Sequence, residues 1–195
     1  MPMTSPERTE METSSAELEA ARHVGKTVLL LMGVAGSGKT TIALELQRIL
    51  NWPYIDGDDL HPPANVEKMR AGHPLNDEDR WPWLRAIARW IDDRIGAGEP
   101  GIITCSDLKR AYRDITVGNR KGVMLVYLRG NETLIADRIS KRNHRYMPRS
   151  LLASQFETLE EPTDDEHPVV VSVGGEVVET VTELLHKVAS AQEKA

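Results

Sequence analysis

Val28-Leu29-Leu30-Leu31-Met32-Gly33-Val34-Ala35-Gly36-Ser37-Gly38-Lys39-Thr40 is the stretch on which the reading of this chain turns. Its first five residues form an unbroken apolar run, which suits a strand covered on both faces, as in a parallel sheet. The next eight fit G-x-x-x-x-G-K-[ST] without mismatch. After them Ile42, Leu46 and Ile49 recur at helical spacing over 41–50. A strand, a glycine-rich turn and a helix in that order make a phosphate cradle. The glycines let the backbone turn tightly and aim successive N–H groups inward, and the helix N-terminus adds partial positive charge. Lys39 can then reach the β- and γ-phosphates, and the Thr40 hydroxyl can ligate Mg²⁺. Residues Gly33, Val34, Ala35, Gly36, Ser37, Gly38, Lys39, Thr40 and Thr41 form the expected nucleotide-contacting set. The competing reading is a chance glycine-rich turn, and the strand before and helix after argue against it. The stretch predicts a nucleoside triphosphate with Mg²⁺.

Working outward, residues 52–55, 101–105, 122–128 and 169–173 read as four further strands. Residues 65–71, 77–96, 108–115, 132–141, 151–159 and 176–189 read as helices between and after them. Strands alternating with helices from end to end predict an α/β layer fold with a largely parallel sheet. Residues 1–25 stand apart: they hold five acids, two bases, Pro2 and Pro6, and few apolar groups. A helix over 15–22 would have little apolar surface to pack, so this segment is expected to be a solvated tail before a domain at 26–195.

Composition narrows the partners. The chain of 195 residues suits one ordinary core, and 40% apolar with 28% charged residues argues against wholesale disorder. A net charge of −6 argues against a general nucleic-acid binder, which needs a basic face. No apolar run approaches the ~18–20 residues that span a bilayer, and the N-terminus lacks an apolar signal core. One cysteine, Cys105, cannot form an intrachain disulfide and suits a reducing cytoplasm.

Asp56-Gly57-Asp58-Asp59-Leu60-His61-Pro62 follows the second strand, and ligands of parallel sheets gather at the carboxyl ends of strands. One carboxylate there can hold Mg²⁺ through water; another can accept the proton of an attacking hydroxyl. The alternative is an Asx turn capping the next helix, and Asp59 fits that role. Arg80 presents a fork that matches a substrate carboxylate, with pairing to Asp77 or Glu78 as the competing reading. Arg138, Lys141, Arg142, Arg145 and Arg149 have no acid among them and suit a segment folding over polyphosphate, against a plain solvated basic loop. Ser106 and Lys109 end the third strand where a substrate would lie, whereas Cys105 reads as a core thiol. The histidines show no zinc spacing, and Trp81, Trp83 and Trp90 read as packing.

Taken together these residues resemble the gluconate kinases, P-loop small-molecule kinases related to the shikimate and nucleoside monophosphate kinases. The resemblance runs over about residues 27–190. Beyond the P-loop it rests on the 56–62 run, Gly72-His73-Pro74-Leu75-Asn76-Asp77, Cys105-Ser106, Leu108-Lys109-Arg110 and the 154–162 run Ser-Gln-Phe-Glu-Thr-Leu-Glu-Glu-Pro. It implies the three-layer P-loop NTPase fold with a five-stranded parallel sheet. It also implies a small helical substrate region near 60–97 and a lid near 138–150. The implied reaction is ATP plus D-gluconate giving ADP plus 6-phosphogluconate, in a cytoplasmic homodimer. Asp56 would act on Mg²⁺ beside Thr40, and Asp58 on the sugar hydroxyl. Arg80 would bind the gluconate carboxylate, with His61, Lys68, Lys109 and Gln155 around the substrate. Arg138 and Arg142 would serve the lid, Arg142 with Lys39 at the transferring group. A kinase for shikimate or another sugar acid, and a nucleotide-binding module without transfer, are the alternative readings. One position departs from the family, which reads Cys-Ser-Ala-Leu-Lys: Asp107 stands where alanine is usual, either to disturb an anionic substrate or to face solvent.

Overall fold

Residues 28–32 form strand β1 (Val28–Met32), and all five are buried. The computed structural model describes residues 13–141 and 149–194. β1 is the middle of a five-stranded parallel sheet with β2 (Tyr54–Asp56), β3 (Gly101–Thr104), β4 (Val123–Arg129) and β5 (Val169–Ser172), in the spatial order β2-β3-β1-β4-β5. In register, Leu29 lies beside Ile102 of β3 and Met124 of β4.

The unbroken apolar run is explained by the two layers it serves. Alternate residues point to opposite faces. Leu29 and Leu31, with Val126 and Leu128, pack under α2 (Lys39–Leu50) and α8 (Val177–Gln192), which supply Ile42, Leu46, Val181 and Leu184. Val28, Leu30 and Met32, with Ile103 and Leu125, pack under α4 (Asp77–Ala97) through Trp83, Leu84, Ile87 and Ile91. The other helices are α1 (Ser15–Arg22), α3 (Pro63–Arg70), α5 (Arg110–Thr116), α6 (Glu132–Lys141) and α7 (Arg149–Thr158). The chain leaves β1 toward β2 and β3 on one side, then crosses to β4 and β5 on the other. That reversal opens a crevice at the carboxyl end of β1, where an open α/β sheet takes its ligand.

The expected solvated tail is corrected over its second half. Ser14 and Glu17 form a capping box that starts α1, and both Glu17 and Ala20 are fully buried. The helix lies on α8 and α2. The Gln192 side chain also closes onto the Gly25 backbone, accepting from its N–H at 2.8 Å and donating to its carbonyl at 2.9 Å. A small apolar stripe suffices here because α1 extends a surface that α2 and α8 already hold in place. Residues 1–12, and residues 142–148 of the expected lid, lie outside the described residues.

Candidate active site

The P-loop turn starts α2 without a side-chain cap. Gly38 occupies the N-cap position at φ +97°, a left-handed conformation that a side chain adopts only under strain. The first N–H groups of α2 are thus left to an incoming acceptor. Lys39 is partly buried and donates to the carbonyls of Gly33 at 2.7 Å and Val34 at 3.1 Å, so its ammonium folds back along its own loop. Burial pushes its pKa down, while Cys105, Asp58 and Asp56 push it up. Asp56 and Asp58 are thus within electrostatic reach of Lys39. The buried Ser37 hydroxyl has no partner among the described residues, as befits a group in an anion cradle.

Asp56 ends β2 and builds the turn that follows. Its Oδ1 accepts from the Asp58 N–H at 3.1 Å and from the Thr104 hydroxyl at 3.0 Å. The next residue must be glycine, since a Cβ at Gly57 would lie 2.2 Å from the Thr104 carbonyl oxygen. This close approach ties the acidic turn to the end of β3. The Tyr54 hydroxyl sits beside Thr40 and reaches Asp56 Oδ2 at 3.4 Å. A threonine hydroxyl and a carboxylate so placed are hard oxygen donors. They fit Mg²⁺, which takes one or two protein oxygens and completes its octahedron with phosphate and water. Among the described residues no cluster of three or more His, Cys, Asp or Glu is set to hold a metal alone, so such an ion would need the phosphates.

Asp58 projects from this turn with 79% of its side chain accessible. Desolvation in the cleft and then the Asp56 charge raise its pKa, Lys39 opposes them, and solvent screens the result. His61 Nε2 stands 4.0 Å from Asp58 Oδ1. Its ring stacks on Trp83 at 4.1 Å, and the Trp83 indole donates to the Gly57 carbonyl at 2.7 Å. Burial and the nearby Arg80 lower the His61 pKa, which keeps the ring neutral at physiological pH. The packing reading of Trp83 thus holds, and its indole also supports the acidic turn.

A second group of charges gathers where α4 begins. Lys109 Nζ lies 2.8 Å from Asp77 Oδ2, and the Tyr112 hydroxyl donates to Asp77 Oδ1 at 2.5 Å. Arg80 Nη1 approaches the same oxygen at 3.4 Å, so the pairing with Asp77 raised as the competing reading of Arg80 is present, though long. Lys68 bonds Asp79 at 2.5 Å, and Asp79 closes the capping box of α4 with Asn76. Lys68 is thereby engaged in holding the helix start. Gln155 of α7, expected around the substrate, accepts from the Ala35 N–H at 2.6 Å and so touches the P-loop.

Arg138 donates to the Val173 carbonyl. With Gly36, Thr41, Gly175, Glu176 and others it lines a cavity of about 320 Å³ beside the P-loop. The turn after β5 was legible only as punctuation at Gly174-Gly175; its place in this cavity depends on β5 pairing with β4. Arg142 lies outside the described residues. Asp107 faces neither solvent nor the cleft, which corrects both readings offered for it. It is buried at φ +45°, its Oδ2 accepts from Thr116 at 2.9 Å, and its Oδ1 has no partner among the described residues.

Comparison with known proteins identifies the family and the fold. The family profile described as "AAA domain" matches residues 28–162. A gluconokinase of Gluconobacter oxydans is 47% identical over 148 residues, 76% of this chain and 82% of that protein. The crystal structure of a gluconokinase from Sinorhizobium meliloti superposes with a TM-score of 0.77 at 41% identity, covering 86% of this chain and 94% of the other. Shikimate kinase from Aquifex aeolicus shares the fold, with a TM-score of 0.54 at 15% identity over 86% of this chain and 99% of its own.

Proposed function

The chain belongs to the gluconokinase family, and from that premise we propose that it transfers the γ-phosphoryl group of ATP to the primary hydroxyl of D-gluconate, releasing ADP and 6-phospho-D-gluconate. What supports this reading is that Lys39 of the P-loop and the carboxylates of Asp56, at the end of β2, and Asp58, in the turn after it, are near enough to act on one another's charge.

Phosphoryl transfer asks a protein mainly for positioning and for charge opposite the transferring group. The N–H groups at the start of α2 and the Lys39 ammonium would hold the β- and γ-phosphates. To do so Lys39 exchanges the Gly33 and Val34 carbonyls for phosphate oxygens. The cavity at Arg138, Thr41 and Glu176 has room for the nucleoside end. Thr40 and Asp56 would hold Mg²⁺, which supplies a Lewis acid on the phosphate oxygens when bound. Asp58, the most accessible of these carboxylates, would accept the acceptor's proton, with neutral His61 beside it to orient the hydroxyl. Arg80 and Lys109 would meet the sugar-acid carboxylate, and Arg142 the transferring group. A homodimer in a reducing cytoplasm completes the proposal, in keeping with a single free, buried thiol at Cys105.

An ADP-coupled assay across D-gluconate, other sugar acids and shikimate tests the substrate class. Turnover highest with gluconate is the expected result; higher turnover with shikimate would transfer the reading to that substrate. Tight ATP binding without any phosphorylated product would reduce the protein to a nucleotide-binding module.

A further inference from the structure

Asp77 has no assigned part in the reaction above, yet it holds the cations that the sugar acid needs. Its two carboxylate oxygens gather three donors: Lys109 Nζ at 2.8 and 3.1 Å, the Tyr112 hydroxyl at 2.5 Å and Arg80 Nη1 at 3.4 Å. All four side chains of the cluster are at least half-buried, with Arg80, Lys109 and Asp77 at 31%, 33% and 36% exposure. These contacts are not demanded by the helix. The N-cap of α4 is Asn76, and its capping box closes through Asp79, so Asp77 is free of both capping roles. Its donors come instead from a distant part of the chain, Lys109 and Tyr112, 32 and 35 residues away. Tyr112 also lies under both cations, with Lys109 Nζ 5.4 Å and Arg80 Cζ 5.9 Å from its ring centre.

We propose that Asp77 is an internal stand-in for the substrate's carboxylate: it pairs with Lys109, Arg80 and Tyr112, and D-gluconate enters by taking those donors over. The inference rests on the reading of the chain as a sugar-acid kinase. Two consequences follow from the chemistry. Cations already neutralised and oriented by Asp77 attract stray anions less than bare ones would. An acid can replace a carboxylate donor for donor, whereas a neutral polyol offers no charge in exchange and leaves the Asp77 pairs closed. Asp77 is thus a specificity-determining residue, and it sets the acid's affinity without touching the phosphoryl group.

The test is Asp77→Asn, which keeps the shape and removes the charge. Wild type and D77N are compared in steady-state kinetics for gluconate, with acetate as an inert carboxylate competitor and a melting curve as the fold control. The expected result is a three- to thirty-fold lower KM for gluconate in D77N, kcat within about two-fold of wild type, and acetate becoming a clearly stronger competitive inhibitor. A KM that is unchanged or higher, or acetate inhibition that does not rise, overturns the proposal, because Asp77 would then be holding the donors for the substrate. Should D77N melt before assay temperature, a structure of the wild type with gluconate decides. Lys109 and Arg80 must have left Asp77 for the sugar carboxylate; pairs kept at their present distances overturn the inference. A wild type that phosphorylates no sugar acid would defeat the functional reading itself. Gluconate turnover with an unresponsive D77N defeats only the role of Asp77.

Discussion

Asp107 shows how much one side chain can cost in a place where the fold leaves it half satisfied. Burial, opposed by the Thr116 hydrogen bond and by the neighbouring Cys105 and Arg113, raises its pKa from 3.8 to about 6. The folded state therefore binds this proton more tightly than the unfolded chain does. Between about pH 4 and pH 6 stability falls as pH rises, and above 6 the full penalty is present. A shift of this size corresponds to an upper bound of about 3 kcal/mol at 1.36 kcal/mol per pH unit. Asp107→Asn keeps an acceptor for Thr116 and tolerates the left-handed backbone. It should raise the melting temperature at pH 7.5 and do little near pH 4, as scanning calorimetry at the two pH values would reveal. An equal gain at both would assign the effect to something other than the charge. Arg80 belongs to the same scale. Arg80→Ala should raise the KM for gluconate about 10-fold or more with a smaller change in kcat, since it removes binding common to ground and transition states. Steady-state kinetics with an unchanged KM would place the carboxylate elsewhere.

Among the elements, the segment between α7 and β5 is held by an ion pair. Arg113 of α5 is 2% exposed and donates to both Glu166 carboxylate oxygens, at 2.5 and 2.9 Å, and to the carbonyls of Asp107 and Glu160 at 3.1 and 2.9 Å. Removing one partner of a buried pair costs about 3–5 kcal/mol, a cost that Arg110, 4.0 Å from Glu166, and the Thr163 N–H, at 3.0 Å, would reduce here. Arg113→Ala should lower the chemical-denaturation midpoint accordingly, and a loss under 1 kcal/mol would show the network to be dispensable. The helix α1 makes a complementary case. Deleting residues 1–24 should lower stability by uncovering the faces of α2 and α8, while the KM values for ATP and gluconate stay within two-fold; a changed KM would mean that α1 bears on the site. These elements also mark what the sequence could and could not disclose. β1, the P-loop and α2 were legible because strand burial, glycine spacing and helical period are all local. The docking of α1 was not, since its partner surface lies at the far end of the chain, at Gln192. Nor were the contacts of Gln155 with Ala35, 120 residues apart, or of Lys109 with Asp77, because no local pattern encodes a tertiary meeting.

Across the whole molecule, the sheet order does the placing. β1 delivers the P-loop, β2 the two acids and β3 the approach to Lys109, all at the carboxyl edge of a parallel sheet. The acidic run after β2 could be assigned to this edge from the rule that ligands gather at strand ends. Which of its carboxylates is spent on the turn and which is open came only from geometry: Asp56 caps, Asp58 projects. The account's central claim is that a phosphoryl group held by Lys39 meets an alcohol activated by Asp58. Its most direct test is the rate of 6-phosphogluconate formation, followed by ³¹P NMR, in wild type and Asp58→Asn at saturating ATP. The prediction is a loss of about 10²–10⁴-fold, the usual worth of a positioned general base, with ATP affinity preserved. Formation of product at the wild-type rate by the Asp58→Asn enzyme would contradict it.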